Sequence, residues 1–354
     1  MERCCAGHAN QGGFVAMLTN SSVGLNLPPW IGAQTQQLLA QRGHAWLLHG
    51  PSGLGQYQLA LELAQAWLCE SPQPQGACGA CGSCHAIGVR THADLCVLMP
   101  ETTMLELDWP LAEKAQGEID DKKRKPSKEI RVDAMRDAVE FAQRTSARGR
   151  GKVVMVFPAE QMNTITANAL LKTLEEPPGD VKFVLATESA HQLLPTIRSR
   201  CLGHSMHWPN ASVCEQWLVS AGLGVAHAGA LLRACGGRPD DALAFAASGR
   251  DPGVWLDFPR AMARGDTAYI KDWSATQIVD ALHRLCHDLM AVQAGSAPRF
   301  FDTKALVPFP SWKALSDWSR ALTLARRTTD HPFNAGLMQE ALVSQAQTAL
   351  NSRH

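Results

Sequence analysis

Ala45-Trp46-Leu47-Leu48-His49-Gly50-Pro51-Ser52-Gly53-Leu54-Gly55-Gln56-Tyr57 is the stretch that decides the fold. Its first five residues form an apolar run that stops at Gly50, the pattern of a buried strand feeding a glycine-rich turn. From Tyr57 to Leu68, apolar side chains at 59, 61, 63, 64, 67 and 68 predict a helix with one buried face. Strand, glycine turn and helix in this order match a phosphate-binding loop, whose working pattern is Gly, four residues, Gly, Lys, then Ser or Thr. Gly50, Gly53 and Gly55 fit, so backbone N–H groups can form an anion-holding nest at the helix start. The lysine position is Gln56, which brings no positive charge to outer phosphates. The hydroxyl position is Tyr57, a bulky substitute for a small Mg²⁺ ligand. Vestigial nucleotide binding without metal-assisted hydrolysis is one reading; an ordinary glycine turn in an α/β fold is the other.

Working outward, four more short apolar runs read as buried strands: Asp94 to Met99, Lys152 to Phe157, Lys182 to Ala186 and Leu202 to His207. Helical periodicity covers Val132 to Arg144 and Glu160 to Glu176, the second stopped by Pro177-Pro178. Alternating strands and helices predict a parallel sheet covered on both faces. The run at Lys152 should end on an acidic pair for metal and water in a working ATPase. It ends Phe157-Pro158-Ala159-Glu160, with Glu160 beyond the strand tip. After Trp208 the strand signals stop, and helices separated by Gly and Pro follow. The expected organisation is a loose extension over 1–27, an α/β domain over 28–208, a small helical lid over 209–250 and an all-helical domain over 251–354. Glu113 to Arg131, which holds Asp120-Asp121-Lys122-Lys123-Arg124-Lys125, is almost without apolar residues. It reads as a solvated loop, a nucleic-acid contact through its basic half being the alternative.

The composition sets bounds on what this chain does. With 354 residues, 45% hydrophobic and 19% charged, there is ample material for folded domains, and intrinsic disorder is excluded. Equal numbers of basic and acidic side chains, 33 each, argue against a strongly basic surface that wraps nucleic acid. No run of about eighteen apolar residues predicts a membrane span. The 11 cysteines are odd in number and scattered, and the start lacks a secretory pattern, so a reducing cytoplasm is expected.

Four of those cysteines, Cys69, Cys78, Cys81 and Cys84, follow the spacing C-x₈-C-x₂-C-x₂-C. Thiolates three apart on a tight turn grip one ion together, and four complete a closed tetrahedral Zn²⁺ shell, which makes the site structural. A redox Cys-x-x-Cys pair or an iron–sulfur cluster are the other readings, and His85 could compete with Cys84.

Asn168-Ala169-Leu170-Leu171-Lys172-Thr173-Leu174-Glu175-Glu176-Pro177-Pro178, Phe183-Val184-Leu185-Ala186-Thr187 and Arg198-Ser199-Arg200-Cys201 resemble the bacterial clamp-loader branch of the AAA+ proteins. The cysteine quartet, placed between the loop's helix and the second strand, is similar to that family's zinc module. The resemblance covers about residues 28 to 250; 1–26 and 102–128 do not match. It implies a P-loop NTPase-like (AAA+) domain with a zinc-binding insertion, then a lid and an all-α collar. With Gln56 and Tyr57 in the loop, it implies a subunit that does not hydrolyse ATP and serves neighbours that do. Its implied partners are the gamma/tau ATPase subunits and a delta subunit, and indirectly the sliding clamp and primed DNA. The resemblance gives Arg200 the role of an arginine finger acting on a neighbour's nucleotide; pairing with a surface carboxylate is the bland alternative. Arginine suits the role because its planar, permanently charged fork bridges phosphate oxygens. Thr187 matches a polar sensor, while Asp240 stands where the lid's sensor arginine belongs. The competing functions are an autonomous AAA+ ATPase and a zinc-module DNA-binding protein. Against the latter, Cys69 to His92 offers only Arg90 as a basic residue.

Overall fold

In the computed structural model, residues 27–247, 252–306, 309–327, 329 and 334–352 are described. The expected extension, Leu27 apart, and the expected lid–collar boundary at 250 fall outside them. The chain divides into two compact units, the first reaching Val213 and the second starting at Cys214.

The first unit runs α1 (Pro29–Leu39), β1 (Ala45–His49), α2 (Gln56–Leu68), α3 (Gly82–Gly88), β2 (Leu95–Leu98), α4 (Glu101–Glu106), α5 (Glu113–Asp120) and α6 (Val132–Gln143). It continues with β3 (Lys152–Val156), α7 (Thr164–Glu175), β4 (Val181–Thr187), α8 (Pro195–Arg198) and β5 (Leu202–Ser205). All strand pairs are parallel, in the order β2-β3-β4-β1-β5. Alternate residues feed opposite faces, as the two-residue period of a strand requires. Trp46, Leu48, Val153, Met155, Val184 and Ala186 pack with Leu59 and Leu63 of α2. Ala45, Leu47, Val154, Val156, Phe183 and Leu185 pack with Met135 and Ala138 of α6 and Leu170 and Leu174 of α7. Burial on both faces explains why β1, β3 and β4 read as continuous apolar runs. The run at Leu202, expected as a buried strand, is a correction: β5 is an edge strand with Leu202, Gly203 and Ser205 exposed. The architecture is the expected P-loop NTPase-like α/β domain, and the C-terminal ends of β1, β3 and β4 point their connecting loops to one edge of the sheet.

Element ends differ from the expectation by a residue or two. Asp94 precedes β2, because its buried carboxylate accepts N–H groups from Ala147 (2.8 Å) and Arg148 (2.9 Å) in the loop before β3. The helix expected from Glu160 is split: a 3₁₀ turn spans Ala159–Gln161, and Asn163 caps α7 by accepting from the Thr166 N–H at 3.0 Å. The stretch Glu113 to Arg131 is a correction: it is not a loop throughout but holds α5, whose residues are all at least partly exposed. In a helix this short and polar, Ala115 and Ile119 alone make too little of an apolar period to stand out.

The second unit is helical: most of α9 (Ala211–Ser220), then α10 (Val225–Ala234), α11 (Pro239–Ala247), α12 (Pro252–Arg264), α13 (Ala275–Gln293), α14 (Trp312–Arg326) and α15 (Ala335–Leu350). Its core is an aromatic stack in which Trp255 lies 4.7 Å from Phe301 and Phe258 lies 5.6 Å from Trp273, centroid to centroid. Ala234 of α10 belongs to the same buried cluster. Asp288 of α13, fully buried, accepts N–H groups from Arg299, Phe300 and Phe301 at 2.7–2.9 Å and so fixes the loop after that helix.

Candidate functional site

The loop between β1 and α2 has the conformation that its glycines allow. Gly55, the residue before α2, has φ +85°, and a Cβ at Gly50 would stand 2.8 Å from the Met206 carbonyl. Gln56 does not reach outward. Its side chain is buried, and its amide donates back to the carbonyls of Gly50 (3.0 Å) and Pro51 (2.7 Å), groups of the loop itself. Tyr57 also turns inward. Its hydroxyl accepts from Trp109 Nε1 at 2.8 Å, and its ring lies 5.5 Å from that of Phe157, the residue after β3. Burial pushes the Tyr57 phenol above its ordinary pKa, the Trp109 hydrogen bond opposing, so it stays protonated. Glu160 is spent within the fold: it accepts the Thr187 hydroxyl at 2.6 Å and the Glu188 N–H at 3.1 Å. Two aromatic rings thus meet beside the loop, and Glu160 holds the tip of β4.

The four cysteines converge. Cys69 ends α2, Cys81 caps α3 and Cys84 lies in its first turn, and all four sulfurs lie within 4.8 Å of one another. Sulfur separations are 3.8 Å for Cys69–Cys81, 3.9 Å for Cys78–Cys84, 3.4 Å for Cys81–Cys84 and 3.7 Å for Cys69–Cys84. A tetrahedron with Zn–S bonds of about 2.3 Å has edges of about 3.8 Å, so the set fits one ion. His85 is exposed and outside the group. Burial raises the Cys81 thiol, but N–H groups of Cys84 and Glu70 outweigh it and bring it down to about 6; burial and the thiol neighbours push Cys84 up. A divalent cation takes such a set as thiolates, so binding it would release protons. The module is braced from outside: Glu70 Oε1 accepts the N–H and the hydroxyl of Ser83 at 3.1 Å each and pairs with Arg148 at 2.7 Å. The Ser83 hydroxyl in turn meets His92 Nε2 at 3.1 Å.

Arg200, three-tenths exposed, follows α8. Its guanidinium pairs with Glu175 at the end of α7 and donates to the Thr196 carbonyl at 2.9 Å. Arg198 is exposed, and Cys201 is half-buried with its thiol pushed up to about 12 by burial. In the second unit Asp240 lies in the first turn of α11, and Arg238 pairs with Asp241 at 3.0 Å.

Residues 33–208 match the family described as DNA polymerase III, delta subunit. The delta-prime subunit of DNA polymerase III from Escherichia coli K12 is 31% identical over 278 residues, 72% of this chain and 76% of that protein. The chain belongs to the DNA polymerase III delta-prime family. The Pseudomonas aeruginosa delta-prime subunit is 40% identical over 195 residues, 54% of this chain and 52% of that protein. The alignments to this relative and to that of Yersinia pestis thus span about half of the relatives' length. The tau subunit from Salmonella typhimurium is 35% identical over 159 residues, 45% of this chain and 21% of that protein. A gamma subunit-related protein from Thermotoga maritima superposes with a TM-score of 0.47 at 16% identity, over 91% of this chain and all of that one.

The structure brings Gly50, Gly53, Gly55 and Gln56 together as one loop and the four cysteines as one cluster, as the sequence predicts. It adds partners that spacing does not reveal. Trp109 lies 52 residues from Tyr57, and Glu175 lies 25 residues from Arg200. The aromatic identity of Tyr57 and Phe157 was the available sign that the two side chains pack together.

Proposed function

We propose that the chain is a non-catalytic clamp-loader subunit. In this reading it assembles with gamma/tau ATPase subunits and a delta subunit, supports loading of the sliding clamp on primed DNA, and works in the cytoplasm. Among the described residues no helix is long and apolar enough to cross a membrane. The observation that carries the reading is the closed loop: Gln56 bonded to Gly50 and Pro51, with Tyr57 against Phe157 where metal and γ-phosphate would sit. The chain then has no group to organise Mg²⁺–ATP, and its own glycine nest is vestigial.

Arg200 supplies the remaining chemistry. Set beside a neighbouring subunit's nucleotide, its fork would leave Glu175 for phosphate oxygens as negative charge spreads over the transferring group. The four cysteines would hold one Zn²⁺, closing the turn that leads from α2 into α3; the metal contributes folding stability and no catalytic step. An ATPase assay tests the reading. The purified chain alone should hydrolyse no ATP above background. With the partner subunits, Arg200→Ala should lower turnover at the adjoining site by about 10³-fold or more while assembly persists. A robust rate from the isolated chain, or an unchanged rate in the Arg200→Ala complex, would sink it.

A further inference from the structure

The segment between β2 and α6 is a built arm. Arg124 is its keystone: Nη2 lies 2.8 Å from Glu101 Oε1 and Nε lies 2.7 Å from Glu118 Oε2. Glu101, itself buried, also accepts the Ser127 N–H at 2.8 Å, and the Thr102 N–H meets the Ser127 carbonyl at 3.1 Å. The turn after α5 is closed by N–H groups of Lys122 and Lys123 on the carbonyls of Ile119 and Glu118, each at 2.9 Å, with Lys122 at φ +57°. A left-handed lysine persists only where its surroundings hold it. One end of the arm is pinned by Trp109 on Tyr57, the other by the Ile130 N–H on the Gln161 carbonyl at 3.0 Å. The arm is thereby fixed to the edge of the sheet where β1, β3 and β4 end.

This ordering changes how its charges count. The acids within the arm are largely offset there: Glu101 and Glu118 by Arg124 together with Arg131, 3.8 Å from Glu101, and Asp121 by Lys123 at 2.8 Å. Lys122, Lys125 and Lys128 are exposed and pair with no acid among the described residues. Asp120, held by Gln116 at 2.8 Å, and Glu129, held by Asn163 at 3.4 Å, stand outside these pairs. From Asp120 to Lys128 the one apolar side chain is Pro126. A protein partner needs aromatic or aliphatic anchors, and a membrane surface needs apolar residues to insert; the tip offers neither. A phosphate backbone needs only cations held at fixed spacing.

We propose that this arm is a DNA contact, Lys122, Lys125 and Lys128 meeting backbone phosphates without reading sequence. It rests on the clamp-loader reading only in taking DNA as the polyanion. The experiment uses the full chain alone and a labelled primed duplex, titrated at several salt concentrations from about 50 mM upward. Lys122→Gln/Lys125→Gln/Lys128→Gln should weaken binding about tenfold or more at the lowest salt. It should also cut the slope of log affinity against log salt by about 2 to 3, near 0.9 for each phosphate that is no longer neutralised. Lys271→Gln/Lys304→Gln/Lys313→Gln, which removes three exposed charges from the second unit, should leave the slope in place. No salt-dependent binding by the unaltered chain, an unchanged slope in the first triple variant, or an equal fall in both triples would each overturn the proposal. Failure of the loader reading would show instead in the ATPase of the assembled complex, which this titration does not touch.

Discussion

Tyr57 and Phe157 lie with ring centroids 5.5 Å apart, one in the first turn of α2 and the other just after β3. On the clamp-loader reading these two positions would share a metal ion in a working ATPase; here the two rings make apolar contact, sealed by the Trp109 N–H on the Tyr57 hydroxyl. Replacing only one ligand would leave a polar gap, whereas replacing both with rings turns the gap into core. Millimolar Mg–ATP should therefore shift the melting temperature of the chain by less than about 1 °C, since stabilisation requires binding to the folded state. A shift of several degrees in a thermal scan would show that the loop still takes nucleotide.

Tyr57→Phe keeps the ring and removes the acceptor. The Trp109 N–H is then buried without a partner, which should cost about 1–3 kcal/mol. Urea unfolding measures it. A variant as stable as the parent would mean that water reaches Trp109.

The cysteine cluster predicts one zinc per chain by native mass spectrometry, absent from Cys78→Ser. Because the sulfurs join the end of α2 to the start of α3, stripping the metal with a strong chelator should also lower thermal stability. Ser83→Ala tests the bracing. It leaves all four ligands but removes the hydroxyl between Glu70 and His92, and should weaken zinc retention about 10–100-fold in a chelator competition. Equal retention would reduce that network to decoration.

Several features were legible in the residues alone because they are local. The runs at Ala45 and Lys152, the glycine spacing and the cysteine spacing each lie within one short segment, and their physics needs nothing distant. The sheet followed because burial on both faces removes alternation. What escaped was relational. Nothing near Trp109 says that its N–H meets Tyr57, and nothing in Asp120 to Lys128 says that Arg124 turns inward while its neighbours stay out. Helix α5 escaped for a related reason: it buries no residue, and its one short apolar pair, Ala115 and Ile119, is lost among polar neighbours.

Asp94 and Lys152 give a pH prediction. Burial alone would raise the Asp94 carboxyl, but N–H groups of Ala147 and Arg148, the Lys152 ammonium and the Ser146 hydroxyl outweigh it and hold the pKa below the usual value. A folded pKa below the unfolded one stabilises above the unfolded value and is lost as pH falls through the folded one. Asp94→Asn leaves the Lys152 charge buried, 3.1 Å from its former partner, and should cost about 3–5 kcal/mol at pH 7. The gap between parent and variant should narrow as the pH drops below about 4, where the unfolded chain takes up a proton that the folded carboxylate still resists, and close once the folded carboxylate is protonated too. Denaturant titrations at pH 7 and near pH 3 read it. A gap that stays constant would assign the cost to packing and not to charge.

Glu175 and Arg200 set the last expectation. The pair is part-exposed, so Glu175→Gln should change the stability of the isolated chain by less than about 1 kcal/mol. Its effect belongs to the assembled complex. If Glu175 aims the guanidinium and yields it to phosphate, Glu175→Gln leaves the charge of Arg200 intact but lets the side chain wander. Turnover at the adjoining site should then fall by less than in Arg200→Ala, with nucleotide affinity nearly unchanged, because an unaimed arginine is lost mainly from the transition state. Glu175→Asp, which keeps a carboxylate within reach, should recover part of the rate. Arg200→Lys should recover little, since a point charge cannot bridge two oxygens. If Glu175→Gln matched the parent while Arg200→Ala lost activity, the finger would stand and Glu175 would be a bystander that happens to lie beside it.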